Sequence, residues 1–146
     1  DGTVNYGGGN QQVIAKPSAP RAYLPTVAEL DSVGHTWSYN YSLAISGASV
    51  PMAPTVAAQG AYVVVGVENV EVAGQTYEAW HVRNTFTQTI EDLMSGNQTL
   101  NAVSDMWYVE GLGMVKEEMV DTDSSDVRLS KTLTGFTGLT PTPAAP

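Results

Sequence analysis

A chain of 146 residues with 42% apolar and 14% charged side chains has the composition of one globular domain, able to bury roughly two-thirds of its unfolded surface. Six basic residues against fifteen acidic ones give a net charge of −9, a field that repels phosphate backbones, so nucleic acid is not an expected partner. The absence of cysteine excludes a disulfide framework and thiolate metal sites, and no apolar run approaches the ~20 residues that a membrane-spanning helix needs.

Residues 1–33 contain Gly7, Gly8, Gly9, Pro17, Pro20 and Pro25, with apolar residues too scattered for a strand or helix face. They read as an extended N-terminal arm, whose best strand former is Gln11, Gln12, Val13, Ile14 and Ala15. A β domain follows over residues 34–137. In residues 37–45 the odd positions are Trp, Tyr, Tyr, Leu and Ile and the even ones Ser, Asn, Ser and Ala, which predicts a strand with one aromatic face. Residues 48–59, with Pro51 and Pro54, read as a crossing loop. The valine-rich run 61–72 predicts a strand pair or one long strand, with a bulge or a close backbone approach at Gly66. Ala73 and Gly74 mark a hairpin tip, because glycine readily supplies the positive φ of a tight β-turn.

The returning run 76–90 places Trp80, Val82, Phe86 and Ile90 on one face and Tyr77, Ala79 and His81 on the other, so both faces are expected to be covered. Residues 91–98 allow one helical turn. Residues 100–109, 113–120 and 127–136 complete the strands, with 121–126 as a polar turn. The last stretch, 138–146, is a Pro/Thr/Ala tail of polyproline type. These elements predict an all-β protein of about six to eight antiparallel strands, as a curved sheet, sandwich or half-barrel. Acidity belongs to its second half: residues 61–146 carry twelve acidic and four basic side chains, residues 1–60 three and two.

Most candidate sites have a structural reading beside the chemical one. Gly111 and Gly113 lie between strand-like runs and do not open a helix, so they are not a phosphate-binding turn. They are expected to bend the backbone so that Trp107 and Met114 or Val115 enter one core, with Trp37 and Trp80 as further structural residues. Asp121, Asp123, Ser125 and Asp126 place oxygens as a calcium loop does, but Asp126 stands where a glycine is needed and Thr132 where a bidentate glutamate belongs. A solvated hairpin tip is the competing reading. A zinc or copper site would need both histidines, His35 and His81, and Ser-His-Asp catalysis lacks a local signature. Asn40-Tyr41-Ser42 and Asn97-Gln98-Thr99 match the N-glycosylation sequon. No catalytic or cofactor-binding residue is assigned.

The segment Trp107-Tyr108-Val109-Glu110-Gly111-Leu112-Gly113-Met114-Val115-Lys116 resembles the Trp-Tyr, Gly-x-Gly, hydrophobe-Val-Lys signature of a diffuse group of uncharacterised bacterial exported proteins and lipoproteins. Residues 70–82 are similar to that group's Ala-Gly hairpin, and Leu24-Pro25 with Gly34-His35-Thr36-Trp37-Ser38-Tyr39 to its opening, so the likeness spans about residues 23–136. It implies a curved antiparallel sheet on an exported protein with no agreed catalytic residue. Some relatives resemble lipoprotein-carrier half-barrels that hold acyl chains. The start at Asp1, without methionine, fits removal of an export signal.

The expectation is therefore a non-enzymatic structural or interaction module, exported to the cell surface, which associates with itself or another surface protein through its N-terminal arm and grows as a filament. The alternatives are a carrier for an acyl chain or other apolar ligand, and an unrecognised hydrolase.

Overall fold

The computed structural model describes residues 2–6, 9–17, 25–46, 55–91 and 96–135, and the side chains of residues 25–43, 55–91 and 96–135. The protein is nearly all β. Its strands are β1 (Gly2–Tyr6), β2 (Gly9–Pro17), β3 (Thr36–Ser46), β4 (Thr55–Val72), β5 (Gln75–Glu91), β6 (Gln98–Val109), β7 (Gly113–Asp121) and β8 (Val127–Thr132), with one four-residue helix, α1 (Val27–Leu30). The order in the sheet is the order in the chain, β1 to β8, an antiparallel meander in which each strand pairs with its sequence neighbours. Hairpin connections suffice for such an order, and no long crossover helix is needed.

The chain divides into two compact units. The first comprises Asp1–Tyr23, Tyr39–Gly60 and Thr87–Leu100. Where the sequence reading expects an extended arm over residues 1–33, this unit contains β1 and β2. Val4, Thr3 and Gly2 face Gln11, Gln12 and Val13, while Ile14, Ala15, Lys16 and Pro17 face Ser46, Ile45, Ala44 and Leu43 of β3. These strands carry no two-residue apolar pattern, so composition does not advertise their pairing. Residues 55–59, read as part of a crossing loop, open β4. The two prolines, Pro51 and Pro54, precede the strand and do not interrupt it.

The second unit comprises Leu24–Ser38, Ala61–Phe86 and Asn101–Pro146. Within it the sheet is covered on both faces. One cluster contains Val72, Tyr77, Ala79, Trp107, Val109 and Val115, with Val70, Leu112 and Leu133 against it. The other contains Leu30, Val64, Val82 and Met106, flanked by Trp37, Tyr62, Trp80 and Tyr108. On β5 and β6 the clusters follow alternation, odd residues to the first and even residues to the second. On β4 they do not: Tyr62 and Val64 serve one cluster, Val70 and Val72 the other, although all four positions are even. The alternation of β4 therefore changes phase between Val64 and Val70. Each fully buried valine here stabilises by about 1.5–3 kcal/mol.

Helix α1 lies within the region read as arm and has a capping box. The Thr26 amide donates to Glu29 Oε2 at 2.8 Å and the Glu29 amide to Thr26 Oγ1 at 3.4 Å, so the short helix presents Leu30 to the second cluster. Residues 92–95, read as part of a helical turn, and 138–146, read as a tail, lie outside the described residues; Glu91 and Gln98 are strand.

Candidate functional site

The densest polar arrangement among the described residues crosses β4, β5, β6 and β7 beside the first cluster. It consists of Glu68, His81, Arg83, Asp105, Trp107, Lys116 and Glu118. Alternation places His81 and Arg83 on the same face of β5 as Tyr77 and Ala79, and Asp105 and Trp107 on the same face of β6 as Val109.

His81 is clamped between two carboxylates. Its Nδ1 lies 2.8 Å from Glu68 Oε1 and its Nε2 2.6 Å from Asp105 Oδ1. Asp105 also accepts both arms of a fork from Arg83, at 2.8 Å from Nε and 3.1 Å from Nη2. Burial works against ionisation of the Asp105 carboxyl, but the bonds from Arg83 and His81 outweigh it and hold the group below the ordinary value of 3.8. The same Glu68 oxygen accepts from Trp107 Nε1 at 2.6 Å.

Trp107 is covered by charge and ring. The His81 imidazole stacks on its indole with centroids 4.8 Å apart and 14° between planes, and Lys116 Nζ lies 4.3 Å from the ring centroid. A bulge makes this possible: Trp107 faces Lys116, Tyr108 faces Met114, and Val115 is the extra residue. Val115 therefore joins Trp107 in the first cluster while Met114 stays 43% exposed.

The chemistry open to this arrangement is narrow. Both imidazole nitrogens of His81 already meet carboxylates, which leaves none to activate a hydroxyl or bind a metal ion. The two carboxylates lie at opposite nitrogens of the ring and do not converge on one point. Among the described residues no group of three or more His, Asp or Glu side chains forms a metal site. With its indole flanked by His81 and Lys116, Trp107 is also closed as a platform for a sugar ring. The cluster is a strut that ties four strands together.

The opposite face carries the second aromatic set. Trp37 stacks on Tyr62 at 4.8 Å and on His35 at 5.7 Å, and His35 Nε2 lies 3.7 Å from Glu29 Oε1. Trp80 Nε1 donates to Asp31 Oδ1 at 2.9 Å, fastening the turn after α1 to the sheet. Tyr108 donates to Met106 Sδ at 3.4 Å, and burial pushes its hydroxyl up to about 12. The two histidines thus belong to different faces and do not meet.

The calcium-like turn is closed on itself. Asp121 Oδ1 accepts from the amides of Asp123 and Ser124 at 2.8 and 3.3 Å, and Oδ2 from Arg128 Nη2 at 2.6 Å. These bonds hold the Asp121 carboxyl below 3.8. Asp123 Oδ2 accepts from Asn101 Nδ2 at 3.1 Å, and Ser125 occupies the left-handed region at φ 61°. Arg128 is the residue by which the β7–β8 register slips, since Met119 faces Leu129 and Val120 faces Val127. The bulge turns it toward Asp121, so the Asp121 carboxylate, read as an ion ligand, serves the hairpin.

Gly111 and Gly113 have φ of 78° and 82° and form the β6–β7 turn. Gln11, Gln12 and Val13 face β1, and Ile14 and Ala15 face β3. Asn40 is exposed on β3 and Asn97 is exposed just before β6. The Glu68–His81–Asp105 bridge was invisible to sequence reading, because its members are spaced 13 and 24 residues apart and meet only through strand register. Comparison with known protein families, curated proteins and solved structures finds no match to this chain.

Proposed function

We propose that the protein is a non-enzymatic structural module, exported and displayed at the cell surface, that associates with copies of itself through the edges of its sheet. The observation that carries this reading is the strand order. It runs from β1 to β8, and among the described residues neither terminal strand has a second strand neighbour. Such edges offer N–H and C=O groups to another strand. Natural edge strands are commonly guarded by free lysine or arginine, but both basic residues of β8 are drawn back onto β7: Arg128 by Asp121 at 2.6 Å and Lys131 by Glu117 at 3.3 Å. Val127, at the start of β8, is 66% exposed. The exported setting is the expectation drawn from the sequence resemblance in residues 70–82 and 107–116.

A concentration series followed by light scattering and electron microscopy tests the reading. Growth of assemblies with concentration is expected. A chain that stays monomeric at the highest soluble concentration would refute it, and an acyl lipid recovered by mass spectrometry from the purified monomer would favour the carrier alternative.

A further inference from the structure

We infer that the β1–β2 hairpin is the exchangeable part of that assembly: it leaves its own β3 and takes the same place on the β3 of a second copy. This rests on the self-association reading above and names the segment and the surface involved.

The division of labour along β2 is the reason. Its first part pairs with β1, with Tyr6 facing Gly9 and Gly2 facing Val13 at the two ends of the ladder. Its last part alone pairs with β3, through residues 14–17 against 43–46. The hairpin can therefore move as a unit with its internal ladder intact. Among the described strand pairings only the short ladder to β3 must open, and it is remade on the neighbour in the same register. Pro17 weakens this ladder further, because proline has no N–H to donate.

The connection allows the move. Residues 18–26 join β2 to α1 in the sequence. Nine residues reach about 30 Å when extended, enough to pass from one small domain to the next. Since the exchanged ladder is chemically identical to the original, no new interface has to be built. The balance is set by the connection and by protein concentration against an effective concentration of order millimolar.

The chain has no cysteine, so a single engineered pair reports on the partner of the hairpin. Ala15 and Ile45 face each other across the ladder, and opposed residues of antiparallel strands have Cα atoms ~4.5–5.5 Å apart, within disulfide range. The double variant Ala15→Cys, Ile45→Cys is oxidised either dilute or after assembly at high concentration, then resolved on non-reducing gels. Lys16→Cys with Ala44→Cys repeats the test one rung along the ladder.

Intramolecular bonds in the dilute sample and covalent dimers or multimers in the assembled one are expected. The sample locked while dilute should stay monomeric on concentration and assemble again on reduction. Assemblies whose bonds remain wholly intramolecular would overturn hairpin exchange while leaving edge association standing. No assembly at any concentration would overturn both. Dilute monomer in which neither rung forms a bond would refute the β2–β3 pairing on which the inference depends.

Discussion

At the scale of residues, the His81 clamp is the part of the molecule most sensitive to single changes. Asp105 holds both the Arg83 fork and His81 Nε2, so Asp105→Asn leaves a guanidinium and an imidazole without their charged acceptor. A loss of about 1–3 kcal/mol in urea unfolding is expected, with a smaller loss for Arg83→Ala, whose side chain is 47% exposed. Asp105 and Asp121 both have folded values below the ordinary 3.8. Their contribution is thus fully present above the unfolded value and is lost as pH falls through the lower folded value. Melting temperature should accordingly drop below about pH 4, and Asp105→Asn should flatten that drop, which a series of melting curves from neutral pH into acid would reveal. Little of this was legible in the sequence. His81 and Trp80 stand out as residues, but the partners that make His81 a strut come from β4 and β6.

At the scale of elements, turn chemistry is where local sequence and structure agree and where one improvement is available. Ala73 and Gly74 both have positive φ, 52° and 79°, as a type I′ hairpin turn demands. Alanine is strained there and asparagine is not, so Ala73→Asn should raise stability by roughly 0.5–1 kcal/mol, measurable as a shifted urea midpoint. Gly113 behaves in the opposite sense. Nothing lies within 4 Å of where its Cβ would be, so the expected loss of about 1–3 kcal/mol for Gly113→Val comes from its φ of 82° and the β-branch, not from crowding. Gly113→Asn should then lose less than half as much. The alternation in β3, the Ala-Gly hairpin and the Gly-x-Gly turn were readable because each depends on neighbours within a few residues. Of β1 and β2 only the strand-forming run 11–15 was, because without a patterned face a strand is defined by its partner. Thr26-x-x-Glu29 was a legible helix start that the proline-rich setting obscured.

At the scale of the whole molecule, a net charge of −9 opposes the association of identical copies. Raising salt from about 20 to 500 mM shortens the screening length several-fold and should move the onset of assembly to lower protein concentration. Assembly that weakens with salt would instead mean that charge pairing across copies drives it. The sheet's linear order has its own cost, since unguarded edges favour indiscriminate pairing, and the Asp121–Arg128 and Glu117–Lys131 bridges set how strongly β8 repels a neighbour. The two-sided packing of the second unit also distributes the tryptophans unequally. Trp37 and Trp80 belong to one face and Trp107 to the other, so the molecule carries two separate optical reporters. In a Trp107→Phe variant the remaining emission follows only the face fastened by α1, and the difference from the parent spectrum follows the face of the clamp.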